Sequence, residues 1–282
     1  MNFREAYRIL DRRFTVETNV EKAAALIDGL YRHHRDTEQS EPTGIYRLTM
    51  QERAPDGKPV WHLHSPDGRT WSMDSAQRAL YVTEATICED VFSLLHDHYA
   101  LHGALVHGPC GGLLISGVSG AGKTTLSLGL HASGMTIAGD DLALLDAATG
   151  LVGAAPRCFH LDDATVTMLR GAGLALPQDG LDYGFVVPGD LGDADQQPAR
   201  VTFAFLLDTE RRSQPVIEPL SQSHMAVALL KETGLSRRSN MESAIAIADM
   251  VAHCRCFRVC SGSLTDTIAA IRRIVIPSTA EA

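Results

Sequence analysis

The chain of 282 residues has no long apolar run and few basic side chains for its size. No stretch approaches the roughly 18 apolar residues that a membrane-spanning helix needs. The N-terminus, MNFREAYRIL, lacks the apolar core of a signal peptide. With 25 basic against 34 acidic residues, the formal net charge is −9, which argues against a nucleic-acid-binding or anionic-membrane-binding surface. We therefore expect a cytoplasmic protein with no nucleic-acid or membrane partner.

The sequence also lacks a recognised cysteine motif. Its six cysteines are expected to be reduced thiols in a cytoplasmic protein. Cys254, Cys256 and Cys260 would share one face of a strand, which leaves a soft-metal site open, but their spacing matches no zinc pattern and favours buried, inert thiols. His62 and His64 also share a strand face, and metal binding there would need a third ligand.

One segment carries a complete phosphate-binding motif. Residues 117–124, GVSGAGKT, fit G-x-x-x-x-G-K-[ST], between a predicted strand at 113–116 and a predicted helix at 124–133 that Gly134 ends. Glycines in such a loop let backbone N–H groups approach an anion, and the helix N-terminus adds positive charge. The predicted nucleotide-binding residues are Gly117, Val118, Ser119, Gly120, Ala121, Gly122, Lys123, Thr124 and Thr125. Lys123 would reach the terminal phosphates and Thr124 a bound Mg²⁺ ion.

Two adjacent acids follow the predicted helix. A helix of about ten residues descends roughly 15 Å, and a strand at 135–138 can climb back about 13 Å. The chain would thus return Asp140 and Asp141 to the level of the phosphates. Carboxylates there suit metal binding and proton abstraction in phosphoryl transfer, and a surface Asp-Asp turn is the plainer alternative.

Periodicity divides the chain into a small N-terminal α+β unit, residues 1–84, and an α/β unit with a phosphate-binding loop, residues 85–282. The predicted helices lie at 20–32 (capped by Asn19), 85–101, 162–170, 221–230, 241–251 and 264–275. The predicted strands outside the loop region lie at 14–18, 45–50, 60–64, 69–73, 80–83, 102–106, 201–208 and 256–260. Residues 180–195 and 234–240 are predicted loops.

The order of motifs resembles a known family. His102-Gly-x-Leu-Val, the GxSGxGK[ST] loop and the Asp-Asp pair resemble the HPr kinase/phosphorylase family, which is similar to the nucleotide core of phosphoenolpyruvate carboxykinase. The resemblance covers about residues 101–146. It implies a P-loop kinase fold of the HPr-kinase/carboxykinase type, with ATP and Mg²⁺ as ligands.

The resemblance also implies roles for individual residues. Asp140 would accept the proton of the substrate hydroxyl, His102 would sit beside it, and Lys123 would complete the catalytic set. Asp141 and Thr124 would hold the magnesium ion. The family's Glu-x-Arg-Gly-x-Gly signature is missing after the acid pair, and Arg157 stands in that region as a candidate phosphate contact.

The expected activity is transfer of the ATP γ-phosphate to a hydroxyl, on serine of a peptide or protein. The layout is similar to HPr-kinase-like proteins, including serine kinases that act on lasso-peptide precursors. A small-molecule alcohol kinase and an ATP-binding regulatory module without transfer are the alternatives, and a homo-oligomer stays open. Four further arginines are candidate substrate or phosphate contacts: Arg211, Arg212, Arg237 and Arg238.

Overall fold

A computed structural model describes residues 3–10, 12–38, 42, 44–52, 57–94, 97–176, 184–191, 197–232 and 240–276. Over these residues the protein is a mixed α/β structure with seven α-helices and four sheets. The helices are α1 Glu21–Tyr31, α2 Ala76–Ser93, α3 Lys123–Ala132, α4 Asp163–Gly171, α5 Gln222–Glu232, α6 Asn240–Ala252 and α7 Leu264–Val275. The strands are β1 Phe3–Ile9, β2 Arg12–Thr18, β3 Ile45–Glu52, β4 Pro59–His64, β5 Thr70–Met73, β6 His98–Leu101, β7 Gly103–Gly108, β8 Gly111–Ser116, β9 Thr136–Gly139, β10 Ala143–Asp146, β11 Val152–Ala154, β12 Phe159–His160, β13 Phe185–Val186, β14 Val201–Arg211, β15 Val216–Pro219 and β16 Arg255–Ser261.

The N-terminal part forms a sheet in the order β1-β2-β3-β4-β5. Its strands are antiparallel neighbours except β2 and β3, which run parallel because α1 crosses between them. Four predicted strands and the first predicted helix are confirmed here. The predicted cap of α1 is wrong: Val20 occupies that position without a side-chain cap, and the Asn19 amide exchanges hydrogen bonds with the backbone of Met50.

Two predictions, a strand at 80–83 and a helix at 85–101, are wrong, because the helix α2 spans Ala76–Ser93. The helix begins earlier because the Ser75 hydroxyl accepts a hydrogen bond from the Arg78 N–H and caps it. The β-forming residues of the predicted strand lie within the helix, where Leu80, Thr83 and Ile87 are buried on its inner side. The end of the predicted helix is instead strand β6, which pairs antiparallel with β10.

The predicted division after residue 84 falls inside α2. One core contains Ile87 of this helix, Leu63 of the N-terminal sheet and Phe185 from the later chain. The helix therefore continues through the predicted boundary, and its buried side contacts both parts. The division into two domains itself stays a prediction.

The larger sheet has the order β15-β16-β14-β8-β7-β9. The strands β16, β14 and β8 run parallel, and β7 and β9 continue the sheet antiparallel to their neighbours. Helices α3 and α7 pack on one face, with Phe203 and Phe205 of β14 in their core. Helices α5 and α6 pack on the other face. The result is a three-layer arrangement around a mixed sheet.

Within the described part of the chain, no helix is both long enough and apolar enough to cross a membrane.

The packing of α2 predicts a stability effect. Ile87→Ala removes a fully buried side chain, and we expect it to lower the free energy of unfolding by about 2 to 5 kcal/mol. Glu89→Ala, an exposed position on the same helix, should change it by less than about 0.5 kcal/mol. Urea unfolding of the two variants measures the difference, and equal stabilities would contradict this packing.

Candidate functional site

Strand β8, the loop after it and helix α3 form the predicted strand–loop–helix arrangement. The backbone has positive φ at Gly117, Gly120 and Gly122, at 151°, 80° and 98°, and this region strongly favours glycine. Gly117 is also held against a neighbouring strand, because a Cβ atom there would lie 2.8 Å from the carbonyl oxygen of Leu207. The loop thus requires these glycines for its backbone path.

Lys123 begins α3 and folds back over the loop. Its ammonium group donates hydrogen bonds to the carbonyl oxygens of Gly117, at 2.9 Å, and Val118, at 3.4 Å. The residue is only 6% exposed. The lysine therefore supports the loop from inside and places a positive charge at the N-terminus of α3.

Strand β9 returns the chain to the loop, as predicted, and places Asp140 behind the first turn of α3. The Thr124 hydroxyl donates a 2.5 Å hydrogen bond to Asp140 Oδ2. Asp140 Oδ1 is buried and has no hydrogen-bond partner among the described residues. Burial raises the pKa of Asp140 to about 6, against the opposing effect of the Thr124 hydrogen bond.

Asp141 points in a different direction from Asp140. Its φ is +63°, and the Leu142 N–H donates to the Asp140 carbonyl oxygen at 2.7 Å, which closes a tight turn with Asp141 at its centre. Asp tolerates this left-handed conformation better than most residues. The turn places the Asp141 carboxylate at the cleft, where its side chain is 43% exposed.

Asp141 is the observed partner of two predicted site residues. His102 Nε2 lies 2.6 Å from Asp141 Oδ1, whereas its expected neighbour was Asp140. Arg157 Nη1 donates to Asp141 Oδ2 at 2.8 Å, and its contact with a phosphate stays a prediction. The His102 hydrogen bond, with the charge of Arg157, lowers the pKa of Asp141 well below its usual value.

The loop and Asp141 line a cleft of about 800 Å³. The opposite wall comes from the start of α2, from α4 and from His160. Of the predicted site residues, the cleft is lined by Ser119, Gly120, Gly122, Lys123, Thr124, Thr125 and Asp141. The others are not among its lining residues: Gly117, Val118, Ala121, His102 and Asp140.

Three cations face this cleft on a chain that is acidic overall. Lys123 is joined by Arg211 from the end of β14, whose Nη2 would lie 3.4 Å from a Cβ atom on Gly122. Arg78 at the start of α2 also lines the cleft. Neither arginine makes an ion pair with a residue that the structure describes. The lining acids are Asp141 and Asp162, so the lining carries one more basic than acidic side chain, which favours an anion.

The other arginine predictions have different outcomes. Arg212 pairs with Glu210 at the surface, at 3.0 Å, and does not line the cleft. Arg237 and Arg238 lie outside the described residues. Sequence reasoning missed Arg78 and His160, because neither belongs to a motif and both reach the cleft through long-range packing.

The cysteines and histidines considered above as metal ligands belong to no group of three possible ligand atoms among the described residues. Cys254, Cys256 and Cys260 are buried, and burial raises the pKa of Cys254 to about 12 and of Cys256 to about 11. This agrees with the prediction of inert thiols. His62 Nδ1 instead lies 3.1 Å from the Ser72 hydroxyl across strands β4 and β5.

Comparison with models of protein families finds no match for this chain, and a search of curated proteins finds none.

The buried carboxylate predicts a pH-dependent stability. The pKa of Asp140 in the fold is about 6, above its ordinary value of 3.8, so its ionised form costs stability above pH 6. That cost disappears as the pH falls toward 4. In EDTA, Asp140→Asn should therefore be more stable than wild type at pH 8, by up to about 3 kcal/mol, and equal to it near pH 4. Urea unfolding at pH 4, 6 and 8 measures this.

Asp162→Asn is the matched control. Asp162 caps α4, and the backbone N–H of Thr165 lowers its pKa. Asparagine also caps helices, so this variant should lose a little stability at pH 8 and none near pH 4. The same pH trend in both variants would contradict the special burial of Asp140.

Proposed function

We propose that this protein is an ATP-dependent kinase that transfers the γ-phosphate to a hydroxyl group, on serine of a peptide or protein. The observation that carries the proposal is the convergence of four groups at one cleft: the glycine loop, Lys123, the Thr124–Asp140 pair and the Asp141–His102 pair. Each of these has a counterpart in what phosphoryl transfer requires, namely phosphate binding, charge neutralisation and positioning of the nucleophile.

The loop and α3 would bind the phosphates of ATP. Backbone N–H groups at the start of α3 and the dipole of this helix attract anions. Lys123 now donates to Gly117 and Val118, and a phosphate oxygen is a stronger acceptor because it is charged. Arg211 beside Gly122 supplies a second cation at the same end of the cleft.

The residues around Asp140 fit a magnesium ion. The unpartnered, buried Asp140 Oδ1 and the Thr124 hydroxyl are oxygen donors of the kind that Mg²⁺ prefers. Such a pairing of a loop threonine with an acid after a strand is how many P-loop enzymes hold this ion. Bound there, Mg²⁺ would neutralise charge on the β- and γ-phosphates.

Asp141 is better placed than Asp140 to act on the acceptor. Its carboxylate faces the cleft, while His102 and Arg157 hold its two oxygens. It would accept a hydrogen bond from the acceptor hydroxyl and orient that oxygen toward the γ-phosphorus. As the new P–O bond forms and the bond to the β–γ bridging oxygen breaks, the hydroxyl proton passes to the Asp141–His102 pair and ADP leaves.

This proposal exchanges the roles expected for the two acids. Asp140, with Thr124, takes the metal, and Asp141, with His102, takes the acceptor. A carboxylate with a lowered pKa is a weak base, so its main contribution is orientation, on which phosphoryl transfer depends more than on base strength.

The proposal includes the fold type and the location expected from the sequence. An HPr-kinase/carboxykinase type of P-loop unit is supported by the motif order and by the meeting of His102, the loop and the acid pair. A cytoplasmic location follows from the need for ATP. A small-molecule alcohol is the alternative acceptor, and transfer to small alcohols but to no peptide or protein would favour it.

The first test concerns nucleotide binding. Lys123→Ala and Arg211→Ala each remove a cation from the loop end of the cleft, and we expect ATP affinity to fall about tenfold or more in each. Arg212→Ala is the matched control, since Arg212 pairs with Glu210 away from the cleft. Calorimetry with ATP measures the affinities. If all three variants bind ATP as tightly as the wild type, residues 117–124 are not a nucleotide phosphate-binding loop.

The second test separates the roles of the acids. Asp141→Asn keeps the left-handed backbone available but loses the negative charge that His102 and Arg157 hold in place, so the acceptor is no longer oriented. It should bind MgATP normally and transfer phosphate about a hundredfold more slowly. Asp140→Asn should bind ATP equally well with and without Mg²⁺, whereas wild type should bind more tightly with Mg²⁺. Calorimetry and single-turnover transfer, or slow ATP hydrolysis, provide the two measurements.

Slow transfer by Asp140→Asn with an unchanged Mg²⁺ effect, together with normal transfer by Asp141→Asn, would restore Asp140 as the base. ATP binding by the wild type with no transfer to any peptide, protein or small alcohol would contradict the kinase and favour an ATP-binding regulatory module.

A further inference from the structure

Glu84, Cys158 and His160 meet in the wall between the cleft and the N-terminal part. Each of the three residues offers one possible metal-ligand atom, and these atoms lie within 4.8 Å of one another. Among the described residues, no other group of three or more His, Cys, Asp or Glu residues does so. His160 Nε2 lies 2.9 Å from Glu84 Oε2 and 3.6 Å from Cys158 Sγ. None of the three has a part in the proposed phosphoryl transfer.

The three side chains are held in place by their neighbours. The Cys158 N–H donates a 2.6 Å hydrogen bond to Glu84 Oε1, which fixes the carboxylate and leaves Oε2 directed to the histidine. The Tyr81 ring packs edge-on against His160, with centroids 4.9 Å apart. A ligand set that is already oriented loses little conformational entropy when an ion binds.

The spacing suits a tetrahedral ion with mixed ligands. Zinc binds sulfur at about 2.3 Å and imidazole nitrogen at about 2.0 to 2.1 Å, which places these two ligand atoms about 3.5 Å apart. The observed separation of Sγ and Nε2 is 3.6 Å. The 2.9 Å between Nε2 and Glu84 Oε2 is a hydrogen-bond distance, so this pair must open by about 0.4 Å when the ion binds. Thiolate and imidazole select zinc over magnesium, whereas the oxygen donors at Asp140 do the reverse.

Burial and charge agree with this ion. Glu84 is 4% exposed and Cys158 is 6% exposed, and the charges near Glu84 among the described residues are His160, when protonated, and the partly buried Arg157. One carboxylate and one thiolate would balance a divalent cation.

A small pocket of about 20 Å³ lies beside the cluster and is lined by all three residues. Its other lining includes apolar side chains such as Leu30 and Ile87. A space of this size holds about one ion or one water molecule. It can therefore supply the fourth coordination position.

We propose that Glu84, Cys158 and His160 form a zinc-binding site, with water as the fourth ligand. On binding, the Cys158 thiol releases its proton to solvent, and His160 keeps its remaining ring proton on Nδ1. The ion would join α2 to the segment that also carries Arg157, the partner of Asp141. This site does not depend on the proposed kinase activity.

The test uses the full chain after removal of metal by a chelator. Co²⁺, a spectroscopic substitute for Zn²⁺, is titrated while absorption is recorded. One equivalent should produce the near-ultraviolet charge-transfer band of a cobalt–thiolate bond, and one equivalent of Zn²⁺ should abolish it. Absence of this band, or of stoichiometric Zn²⁺ binding, would overturn the proposal.

Variants locate the site. Cys158→Ser should lose the thiolate band, and His160→Gln should weaken Zn²⁺ binding about a hundredfold or more. His160 is partly exposed, so His160→Gln tests the site even if Cys158→Ser fails to fold. Circular dichroism checks the fold of each variant.

Two controls separate this site from other thiols and from the magnesium ligands. Cys88→Ala removes a buried thiol one turn along α2 from Glu84 that is not part of the cluster, and it should keep the cobalt band. Asp140→Asn should also keep it, since its carboxylate belongs to the other site. Loss of the band in Cys88→Ala, or its survival in Cys158→Ser, would assign the metal elsewhere.

Discussion

The hydrogen bond between the Thr124 hydroxyl and the Asp140 carboxylate is the contact on which the site depends. It joins the first turn of α3, which follows β8, to the end of β9. In the larger sheet β7 lies between β8 and β9. The contact requires the Asp140 carboxylate to be almost completely buried. This burial raises the pKa of Asp140 to about 6. A buried acid with one unpartnered oxygen is costly for stability, and a cation at that oxygen would remove the cost.

The turn at Asp141 divides two neighbouring carboxylates between two environments. Asp140 is behind α3, with a raised pKa, and Asp141 is at the cleft, with a lowered one. The left-handed backbone of Asp141 makes this possible, because it turns the second side chain away from the first. Pairs of acids whose pKa values are pushed apart are suited to different chemical roles.

The wall opposite the loop comes from the helices α2 and α4 and from His160 of the strand β12. Glu84 of α2 accepts a hydrogen bond from the backbone N–H of Cys158, the residue before β12. Arg157, which precedes Cys158, donates a hydrogen bond to Asp141. The wall is therefore connected to the acceptor side of the cleft through adjacent residues. The same contacts create the cluster proposed to bind zinc, so one buried carboxylate serves both packing and ligand placement.

Local features of the chain were predictable from the sequence, and the meeting of distant residues was not. The glycines, Lys123 and Thr124 lie within eight consecutive residues, so the strand–loop–helix geometry follows from short-range backbone preferences. Periodic helices such as α1 and α7 were predicted for the same reason. Only the tertiary structure decided that His102 contacts Asp141, 39 residues away, and that Glu84 meets Cys158, 74 residues away. The direction of the Asp141 carboxylate depends on its left-handed backbone, and that of Asp140 on its contact with Thr124. The β-forming residues of α2 became helical because burial against the core outweighed their local preference.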